Sequence, residues 1–568
     1  MNGGTTVEIA HTVTWDDGKR RRAAGLLAAL AILFLASPVA GPGEGLGKLI
    51  SVIVRDAPAA GEMPERFIED VGGDVLHRFA VLDGFSAVVP EREITRLATM
   101  PGVLSVSRDA RVHLLGKSGS GDSGSIDEGD LGVLSSLIGV DRVWSELGLT
   151  GQGIDVALID SGVSPVAGLS NTGQVLNGPD LSFESQIPEL RSLDTYGHGT
   201  HLAAIIAGRD TGASLKRGSW GSGKFVGIAP EARLVSLKLA NARGATDVSQ
   251  VIAAIDWVVQ NRNKNGLNIR VLNLSFGTNP EQSYVLDPLS YAAEVAWRHG
   301  IFVVVAGGNS GNTNGQLNNP AYNPRVMAVG ADQTFGTADI RDDIIPTWSS
   351  RGDGLRKPDL VAPGKSVKSL RVTGSYIDEQ YPAAVVESRF FRGSGTSQSA
   401  AIVSGAAALL LQQRPGLSPD QLKKLFTSTA AKLTGTDPMG QGAGLIDVRA
   451  ATAAATPSDS TAAQGYTPAT GLGTLEGARG GAHVEMDDVV LQGERDIFGN
   501  SFSTAVWAPL ALSGASWSGG TWNGASWSGA SWSGATWSGA SWSGASWSGA
   551  TWSGASWSGA SWSSALWA

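Results

Sequence analysis

Short apolar runs alternate with helical patterns between residues 140 and 455. Four runs are β-branched and nearly continuous in apolar character, as expected for strands of a parallel sheet that is buried on both faces. They lie at 154–159, 234–239, 270–274 and 301–305. Between them, apolar residues recur at helical spacing before Asn265 and again from Leu289 to His299. This alternation predicts a doubly wound, mainly parallel α/β sheet, whose reactive groups gather beyond the carboxyl ends of the strands.

A separate and smaller α+β pattern occupies residues 48–114. Strands are predicted at 48–54, 85–89 and 103–107, and helices at 63–71 and 91–100. A unit of this size is only marginally stable by itself. The next segment, 115–139, is predicted to be a flexible linker because Gly and Ser dominate residues 116–125.

Residues 1–41 have the features of a secretory signal peptide. Lys19 and three arginines precede a 14-residue apolar run, and small residues follow that run. This combination is typical of export signals, whereas a membrane-spanning helix needs about 20 apolar residues. We therefore expect a protein that is secreted or associated with the cell surface, and a membrane anchor is the less favoured alternative.

Tryptophan is concentrated near the end of the chain. Residues 456–512 are rich in Thr, Ala and Gly and are predicted to be a linker, and residues 513–568 form a Trp-rich five-residue repeat. Eleven tryptophans occur at a strict period of five from Trp517 to Trp567, and no charged residue follows Asp496. Exposed aromatic side chains without charges favour attachment to a cell surface or self-association. A flexible Gly/Ser tail is the alternative.

The composition excludes several classes of protein. Acidic residues outnumber basic residues by 52 to 43, which gives a net charge of −9. A general nucleic-acid binder needs a basic face, so no nucleic-acid partner is expected. The chain has no cysteine, which excludes disulfides, thiolate nucleophiles and cysteine-ligated zinc.

Three short stretches of the α/β domain carry residue types that act together in nucleophilic catalysis. Asp160 directly follows a buried strand. The stretch 197–201, which contains His198, opens an apolar helix predicted at 202–207, and the stretch 393–397, which ends at Ser397, opens another predicted at 399–411. A serine hydroxyl is a weak nucleophile until an imidazole takes its proton, and a carboxylate fixes the tautomer of that imidazole. A serine at the start of a helix also has backbone N–H groups near the developing oxyanion. Taken singly, each residue is more often a helix cap or a turn residue.

The chain order Asp, His, Ser distinguishes among the families of serine hydrolases. It is the order found in subtilisin, and it differs from the orders in chymotrypsin and in the α/β-hydrolases. The stretches around the three residues, at 160–162, 197–201 and 395–399, resemble those of the subtilisin-like serine peptidases. Three further segments do so as well, at 272–277, 306–311 and 357–364.

The resemblance implies a role for each residue of the site. The catalytic triad would be Asp160, His198 and Ser397, the oxyanion donor Asn309, and the substrate-binding edge Ser275, Phe276 and Gly277. Residues 48–114 would be the inhibitory propeptide of the family, with an ordinary accessory domain as the alternative. The chemistry would need no cofactor and no metal site is assigned, although several members of the family bind structural calcium.

Two features depart from the family pattern. Ala401 and Ile402 stand where the family commonly has Pro and His, and we expect this change to alter helix packing and to leave the chemistry intact. Phe276 is bulkier than the residue often found at the edge of the specificity pocket. The preference for particular substrates therefore does not carry over from the resemblance.

These observations predict a secreted serine endopeptidase that is made as a zymogen and hydrolyses peptide bonds through an acyl-enzyme. Its partners would be protein or peptide substrates and its own propeptide, together with cell-surface or self-association through the tail. The alternative is a cell-surface binding or structural protein whose Trp-rich tail is the main functional element.

Overall fold

The computed structural model describes residues 49–108 and 129–516 apart from short gaps, together with four backbone segments of the tail. The gaps are residues 58–60, 62, 80–83, 183, 186, 188, 217–222, 313–314, 338, 435–436, 482, 487–488 and 498–500. Two compact units are present, residues 1–113 and residues 114–568. The predicted signal peptide, most of the predicted linker 115–139 and most of the Trp-rich repeat lie outside the described residues.

Between residues 49 and 108, the described part of the first unit is a four-stranded antiparallel sheet with two helices. Its strands are β1 (Leu49–Asp56), β2 (Asp74–Phe79), β3 (Gly84–Pro90) and β4 (Val103–Arg108). Its helices are α1 (Met63–Asp70) and α2 (Ile94–Ala98), and a 3-10 turn (Glu91–Glu93) precedes α2. The strand order is β2-β3-β1-β4, and the unit has its own buried core, which includes Val52, Phe85 and Leu97. Only β2, an edge strand without an apolar run, was not predicted from the sequence.

A seven-stranded parallel sheet forms the centre of the second unit. Its strands are β5 (Asp155–Asp160), β6 (Val175–Asp180), β7 (Arg233–Lys238), β8 (Ile269–Leu274), β9 (Phe302–Ala306), β10 (Met327–Asp332) and β11 (Leu360–Pro363). Their order is β11-β10-β9-β8-β5-β7-β6, and every neighbouring pair is parallel. The predicted α/β fold with a mainly parallel sheet is therefore confirmed.

Helices pack against this sheet and against each other. They are α3 (Leu131–Leu137), α4 (Val140–Leu147), α5 (His198–Ala207), α6 (Val248–Asn261), α7 (Pro288–Arg298), α8 (Tyr376–Gln380), α9 (Thr396–Gln413), α10 (Pro419–Thr429), α11 (Val448–Ala453), α12 (Asp459–Ala462), α13 (Leu475–Arg479) and α14 (Thr504–Ser513). Every residue of α5 is buried, and α9 is buried from Thr396 to Leu411. Helices that are apolar all round belong in a core, and α5 and α9 contact each other there.

Smaller strand pairs complete the second unit. The strands β12 (Val367–Leu370), β13 (Val385–Val386) and β14 (Phe390–Gly395) form an antiparallel sheet that leads directly into α9. A hairpin joins β15 (His483–Met486) to β16 (Val489–Val490). In the tail, β17 (Thr521–Trp522) pairs with β18 (Ala525–Ser526), β19 (Trp557–Ser558) pairs with β15, and β20 (Ser564–Leu566) pairs with β14.

The order of the parallel sheet reverses at β5. The chain forms β7 and β6 on one side of β5 and continues through β8, β9, β10 and β11 on the other side. In an open parallel sheet, such a reversal leaves a crevice beyond the carboxyl ends of the strands, where ligands bind. Asp160 is the last residue of β5 and lies opposite Lys238 of β7. The sheet therefore positions Asp160 at the entrance to this crevice.

Residues 456–512 differ from the sequence prediction of a linker. Helices α12 and α13, most of α14 and the β15–β16 hairpin fall within them, and Leu475, Phe502 and Trp507 join the core of the second unit. The Arg479 guanidinium is fully buried and pairs with the Asp247 carboxylate at 2.7 Å. The segment is thus a packed part of the second unit, because contacts with residues far away in the sequence hold it there.

Trp507 fixes the last helix of the described core. Its indole Nε1 donates a hydrogen bond to Asp256 Oδ2 at 2.8 Å, and its ring packs edge-on against Tyr291 with 5.6 Å between the ring centroids. Burial raises the pKa of Asp256 to about 7. Trp507 therefore belongs to the folded core and not to the repeat, whose regular tryptophans begin at Trp517.

Candidate active site

The Asp160 carboxylate is buried at the carboxyl end of β5. Its Oδ1 accepts hydrogen bonds from the backbone N–H of Ser161 at 2.8 Å and from the Ser161 hydroxyl at 3.2 Å. A buried carboxylate is costly unless donors surround it. The turn that ends β5 supplies two of these donors, and the other donor to Oδ1 comes from α5.

His198 is the first residue of α5, and its ring contacts Asp160. The Nδ1 atom lies 2.8 Å from Asp160 Oδ1, and both side chains are almost completely buried. Because an ionised carboxylate can only accept a hydrogen bond, Nδ1 must carry the proton. In the neutral imidazole this leaves Nε2 as the nitrogen that can accept a proton.

Two glycines allow α5 to begin at this place. Gly197 has a φ of 105°, a backbone conformation that favours glycine. At Gly199, an added Cβ would lie 2.2 Å from the carbonyl oxygen of Gly162. The start of α5 therefore lies directly against the turn after Asp160, which is why the sequence has glycine on both sides of His198.

Ser397 lies in the first turn of α9 and is fully buried. The strand β14 leads into this helix at Gly395, whose N–H donates to the carbonyl oxygen of Gly364 at 2.8 Å. The first N–H groups of an α-helix have no partner within the helix. The sequence prediction had the helix begin later, at Ser399, and the structure extends it to include Ser397.

The Asn309 side chain is oriented by the residue before Ser397. Asn309 Oδ1 accepts hydrogen bonds from the Thr396 N–H at 3.0 Å and from the Thr396 hydroxyl at 3.2 Å. Because a backbone N–H can only donate, the oxygen of the amide must face Thr396. The amide nitrogen Nδ2 is buried and has no acceptor among the described residues, so the geometry presents a buried donor beside the start of α9.

The predicted substrate-binding edge directly follows β8. Ser275, Phe276 and Gly277 are all buried, and the Phe276 ring belongs to the hydrophobic core. An added Cβ on Gly277 would lie 2.7 Å from Asn318 Cβ. The bulk of Phe276 therefore faces the protein interior, where its size is a matter of core packing.

Asp194 is a second buried carboxylate at this site, and sequence reasoning missed it. It accepts hydrogen bonds from the Ser161 hydroxyl at 2.8 Å, the Gly197 N–H at 2.6 Å and the Thr200 N–H at 2.7 Å. Burial raises the pKa of Asp194 above its usual value, although these hydrogen bonds lower it. The only signal in the sequence was an acidic residue shortly before the glycine that precedes His198.

His201 is not part of the reactive group. Its Nε2 lies 3.1 Å from the carbonyl oxygen of Phe391, to which it donates a hydrogen bond. Burial and the neighbouring His198 lower the pKa of His201 to about 3. The residue is therefore a neutral packing residue of α5.

Ala401 and Ile402 are fully buried within α9. Their position is consistent with the expectation that they alter packing.

Within the described parts of the chain, no group of three or more His, Asp or Glu side chains could hold a metal ion. Of the helices described, none combines the length and the apolar character needed to cross a membrane.

Comparison with known families identifies both units of the chain. A sequence model of the subtilase family matches residues 151–466. The chain belongs to the subtilase family. A model of the peptidase inhibitor I9 family matches residues 59–115, so this subtilase carries the inhibitor propeptide of a zymogen. The prediction of a subtilisin-like serine endopeptidase with an inhibitory propeptide is confirmed.

Individual relatives support the assignment of this subtilase. It is 37% identical over 308 residues to serine protease AprX of Bacillus subtilis, and the aligned region covers 53% of this chain and 66% of AprX. It is 30% identical over 393 residues to the alkaline protease of Alkalihalobacillus alcalophilus, covering 68% of this chain and 83% of the relative. It is 34% identical over 310 residues to subtilisin Savinase of Lederbergia lenta, covering 54% and 93% respectively.

We expect Asp194→Asn to lower the kcat of the subtilase about 10- to 100-fold. Hydrogen bonds to a charged acceptor contribute about 1.5–3 kcal/mol each, and about 1.4 kcal/mol corresponds to a factor of ten in rate. Gly197 donates to Oδ1 and Thr200 to Oδ2, so the NH2 group of an amide would oppose one of these two N–H donors in either orientation. The measurement is kcat on a peptide substrate, with the active enzyme counted by titration.

Asp447→Asn is the matched control for this prediction. Asp447 also caps a helix, accepting from the Ala450 N–H at 2.7 Å, but it has no contact with the triad network among its described hydrogen bonds. We expect its kcat to equal that of the wild type. An Asp194→Asn variant with undiminished kcat would contradict the role that we give to the Asp194 network.

Proposed function

We propose that Ser397 is the nucleophile of the peptidase, His198 its general base, and Asp160 the residue that orients His198. The observation that carries this proposal is the 2.8 Å contact between His198 Nδ1 and Asp160 Oδ1. It assigns the ring proton to Nδ1 and leaves Nε2 as the base. The contact between helices α5 and α9, which carry His198 and Ser397, supports the same assignment.

The reaction follows from these roles. Ser397 Oγ attacks the carbonyl carbon of the peptide bond while its proton moves to His198 Nε2. The C–N bond then breaks, His198 gives this proton to the leaving amine, and the acyl group stays on Ser397 as an ester. Water attacks the ester with His198 again as the base, which releases the carboxylic acid and restores the Ser397 hydroxyl.

Asn309 would stabilise the negative charge that develops on the substrate oxygen. Its Nδ2 is a buried donor with no acceptor in the described structure, and the two hydrogen bonds from Thr396 fix its orientation. A donor that is already oriented needs no reorganisation when the oxyanion forms. The backbone N–H groups in the first turn of α9 would contribute to the same stabilisation.

The substrate would bind along the segment Ser275–Gly277 at the end of β8. An extended peptide can pair with the backbone of a protein segment as a further strand. The Phe276 side chain faces the core, so in this proposal the backbone of the segment binds the substrate.

We further propose that the chain is exported by residues 1–41 and held inactive by residues 48–114 until the linker 115–139 is cut. The I9 match at residues 59–115 supports the inhibitory role. One relative, 28% identical over 392 residues, is the minor extracellular protease Epr of Bacillus subtilis, which supports secretion.

The proposed reaction needs no cofactor, and no step of it involves calcium. The described residues offer no assigned ligands for calcium.

Ser397→Ala tests the assignment of the nucleophile. We expect it to abolish peptide hydrolysis and labelling by a serine-reactive phosphonate, because both reactions require the Ser397 hydroxyl in the proposed mechanism. Ser460→Ala, which changes an exposed serine, should behave like the wild type in both assays. Peptide cleavage by the Ser397→Ala variant at the rate of the wild type would refute the proposed mechanism.

We propose an attachment role for the Trp-rich repeat as a second function of the same chain. Its support is the period of five between Trp517 and Trp567 and the lack of charge after Asp496. Regularly spaced aromatic side chains without charged neighbours favour contact with a surface or with other copies of the chain.

A truncation after Ser516 tests this attachment role. Phe502 and Trp507 pack in the core, so an end at Ser516 keeps α14 intact and removes the repeat together with β19 and β20, which pair with β15 and β14. We expect the truncated protein to lose retention on the producing cells and to keep the wild-type kcat on a small peptide. Equal retention of the full and truncated proteins would rule out the attachment role.

A further inference from the structure

Residues 371–389 form an excursion from the small antiparallel sheet. The strands β12 and β14 pair directly, with Leu370 opposite Phe390, so the chain between these two residues projects from the end of the hairpin. The excursion contains α8, a 3-10 turn (Pro382–Ala384) and β13. The catalytic chemistry described above does not use any of these elements.

The excursion contacts the segment that immediately precedes His198. The backbone N–H of Tyr376 donates to the carbonyl oxygen of Thr195 at 3.0 Å, and the N–H of Ile377 donates to that of Tyr196 at 3.1 Å. A Cβ on Gly197 would lie 2.5 Å from the Ser375 hydroxyl oxygen. The excursion therefore lies in close contact with the residues on which the position of His198 depends.

Buried contacts make the excursion rigid. Ile377, Ala384 and Phe391 form a small buried cluster of their own. Within the excursion, the Arg371 guanidinium pairs with the Asp378 carboxylate at 2.9 Å. These interactions hold α8 against the small sheet.

The far end of the excursion is also attached to the catalytic region. The Arg389 guanidinium donates to the Asp210 carboxylate at 2.8 Å, and Asp210 follows α5. The excursion thus contacts the chain just before α5 and just after it, and α5 is the helix that begins with His198. Side chains on the excursion are therefore held close to α5 and to the active site.

Three tyrosines lie on the excursion or on the segment that it contacts, and we call them the tyrosine shelf (Tyr196, Tyr376 and Tyr381). The rings of Tyr196 and Tyr376 are stacked, with 6.0 Å between centroids and 17° between planes, and Tyr196 lies 6.4 Å from the His198 ring. Burial and the neighbouring Tyr381 raise the pKa of Tyr196 above its ordinary value. Tyr376 and Tyr381 are 38% and 44% exposed, so they present aromatic surface to solvent, and Tyr196 lies between the Tyr376 ring and the catalytic histidine in this chain of ring contacts.

We propose that the tyrosine shelf binds the substrate residues that follow the scissile bond and selects aromatic side chains there. The proposal rests on the proposed function, because the occupant is the peptide that Ser397 cleaves. His198 gives its proton to the leaving amine, so the segment that carries His198 faces the part of the substrate that leaves. Stacked aromatic rings favour a further aromatic side chain over an aliphatic or charged one.

The test measures binding on the leaving side separately from the rest of the substrate. An ester substrate forms the acyl-enzyme, which then reacts either with water or with an added amino-acid amide. The partition between the two products reports how well the amide binds on the leaving side. We expect the wild type to favour phenylalaninamide over alaninamide about two- to tenfold, the range expected for one aromatic contact.

Variants of the shelf should remove this preference. In Tyr376→Ala and Tyr381→Ala the ratio of phenylalaninamide to alaninamide products should fall towards one, whereas Tyr376→Phe, which keeps the ring, should retain it. Tyr466→Ala, at an exposed tyrosine elsewhere, is the control and should match the wild type. The product ratio does not depend on the amount of folded enzyme, so partial misfolding cannot imitate the effect.

The outcomes separate this proposal from the proposed function. A wild type that prefers phenylalaninamide, with the preference lost in the alanine variants, supports the shelf. A wild type without the preference, or alanine variants that retain it, overturns the shelf and leaves the peptidase assignment intact. A wild type that neither cleaves the ester nor reacts with the phosphonate overturns both.

Discussion

The active site depends on one constraint, the burial of the Asp160 carboxylate at the carboxyl end of the central strand. Removing a carboxylate from water costs several kcal/mol unless hydrogen bonds compensate for the loss. Here the compensation comes from Ser161 and from His198, whose Nδ1 lies 2.8 Å from the same oxygen. The buried charge therefore requires that the first residue of α5 lie against the end of β5, and this contact determines the tautomer of the imidazole.

Further buried hydrogen bonds hold the elements around Asp160 in place. Asp194 accepts hydrogen bonds from Ser161, Gly197 and Thr200, so a second carboxylate holds both the turn after β5 and the start of α5. On the other side, Thr396 holds the Asn309 amide and precedes Ser397 on α9. The catalytic groups are thus oriented by buried hydrogen bonds between secondary-structure ends, which is the preorganisation that charge stabilisation requires.

The sequence predicts the parts of this arrangement that are local. Strands β5, β7, β8 and β9 follow from β-branched runs, and Asp160, His198 and Ser397 stand out because glycines and strand or helix ends surround them. The orientation of Asn309 and the role of Asp194 do not follow from local patterns, because each depends on a hydrogen bond to a distant segment. The resemblance to a known family supplied the candidate residues, and the structure supplied the contacts that orient them.

The same distinction explains why residues 456–512 were interpreted as a linker. Their Thr-, Ala- and Gly-rich sequence has no strong periodicity, and the segment is held instead by single long-range contacts such as those of Arg479 with Asp247 and of Trp507 with Asp256. The tyrosine shelf is similar, since Tyr196 and Tyr376 are far apart in the sequence and meet only because the excursion from the β12–β14 hairpin folds back onto α5.

The most direct test of the account is the tautomer of His198. In the Ser397→Ala protein with ¹⁵N-labelled histidine, nitrogen chemical shifts identify the protonated ring atom, and His198→Ala assigns the signal. For the neutral form of the ring we predict the proton on Nδ1, whose proton resonance lies far downfield and disappears in Asp160→Asn. A neutral ring with its proton on Nε2 would contradict the claim that the buried Asp160 carboxylate orients the catalytic base.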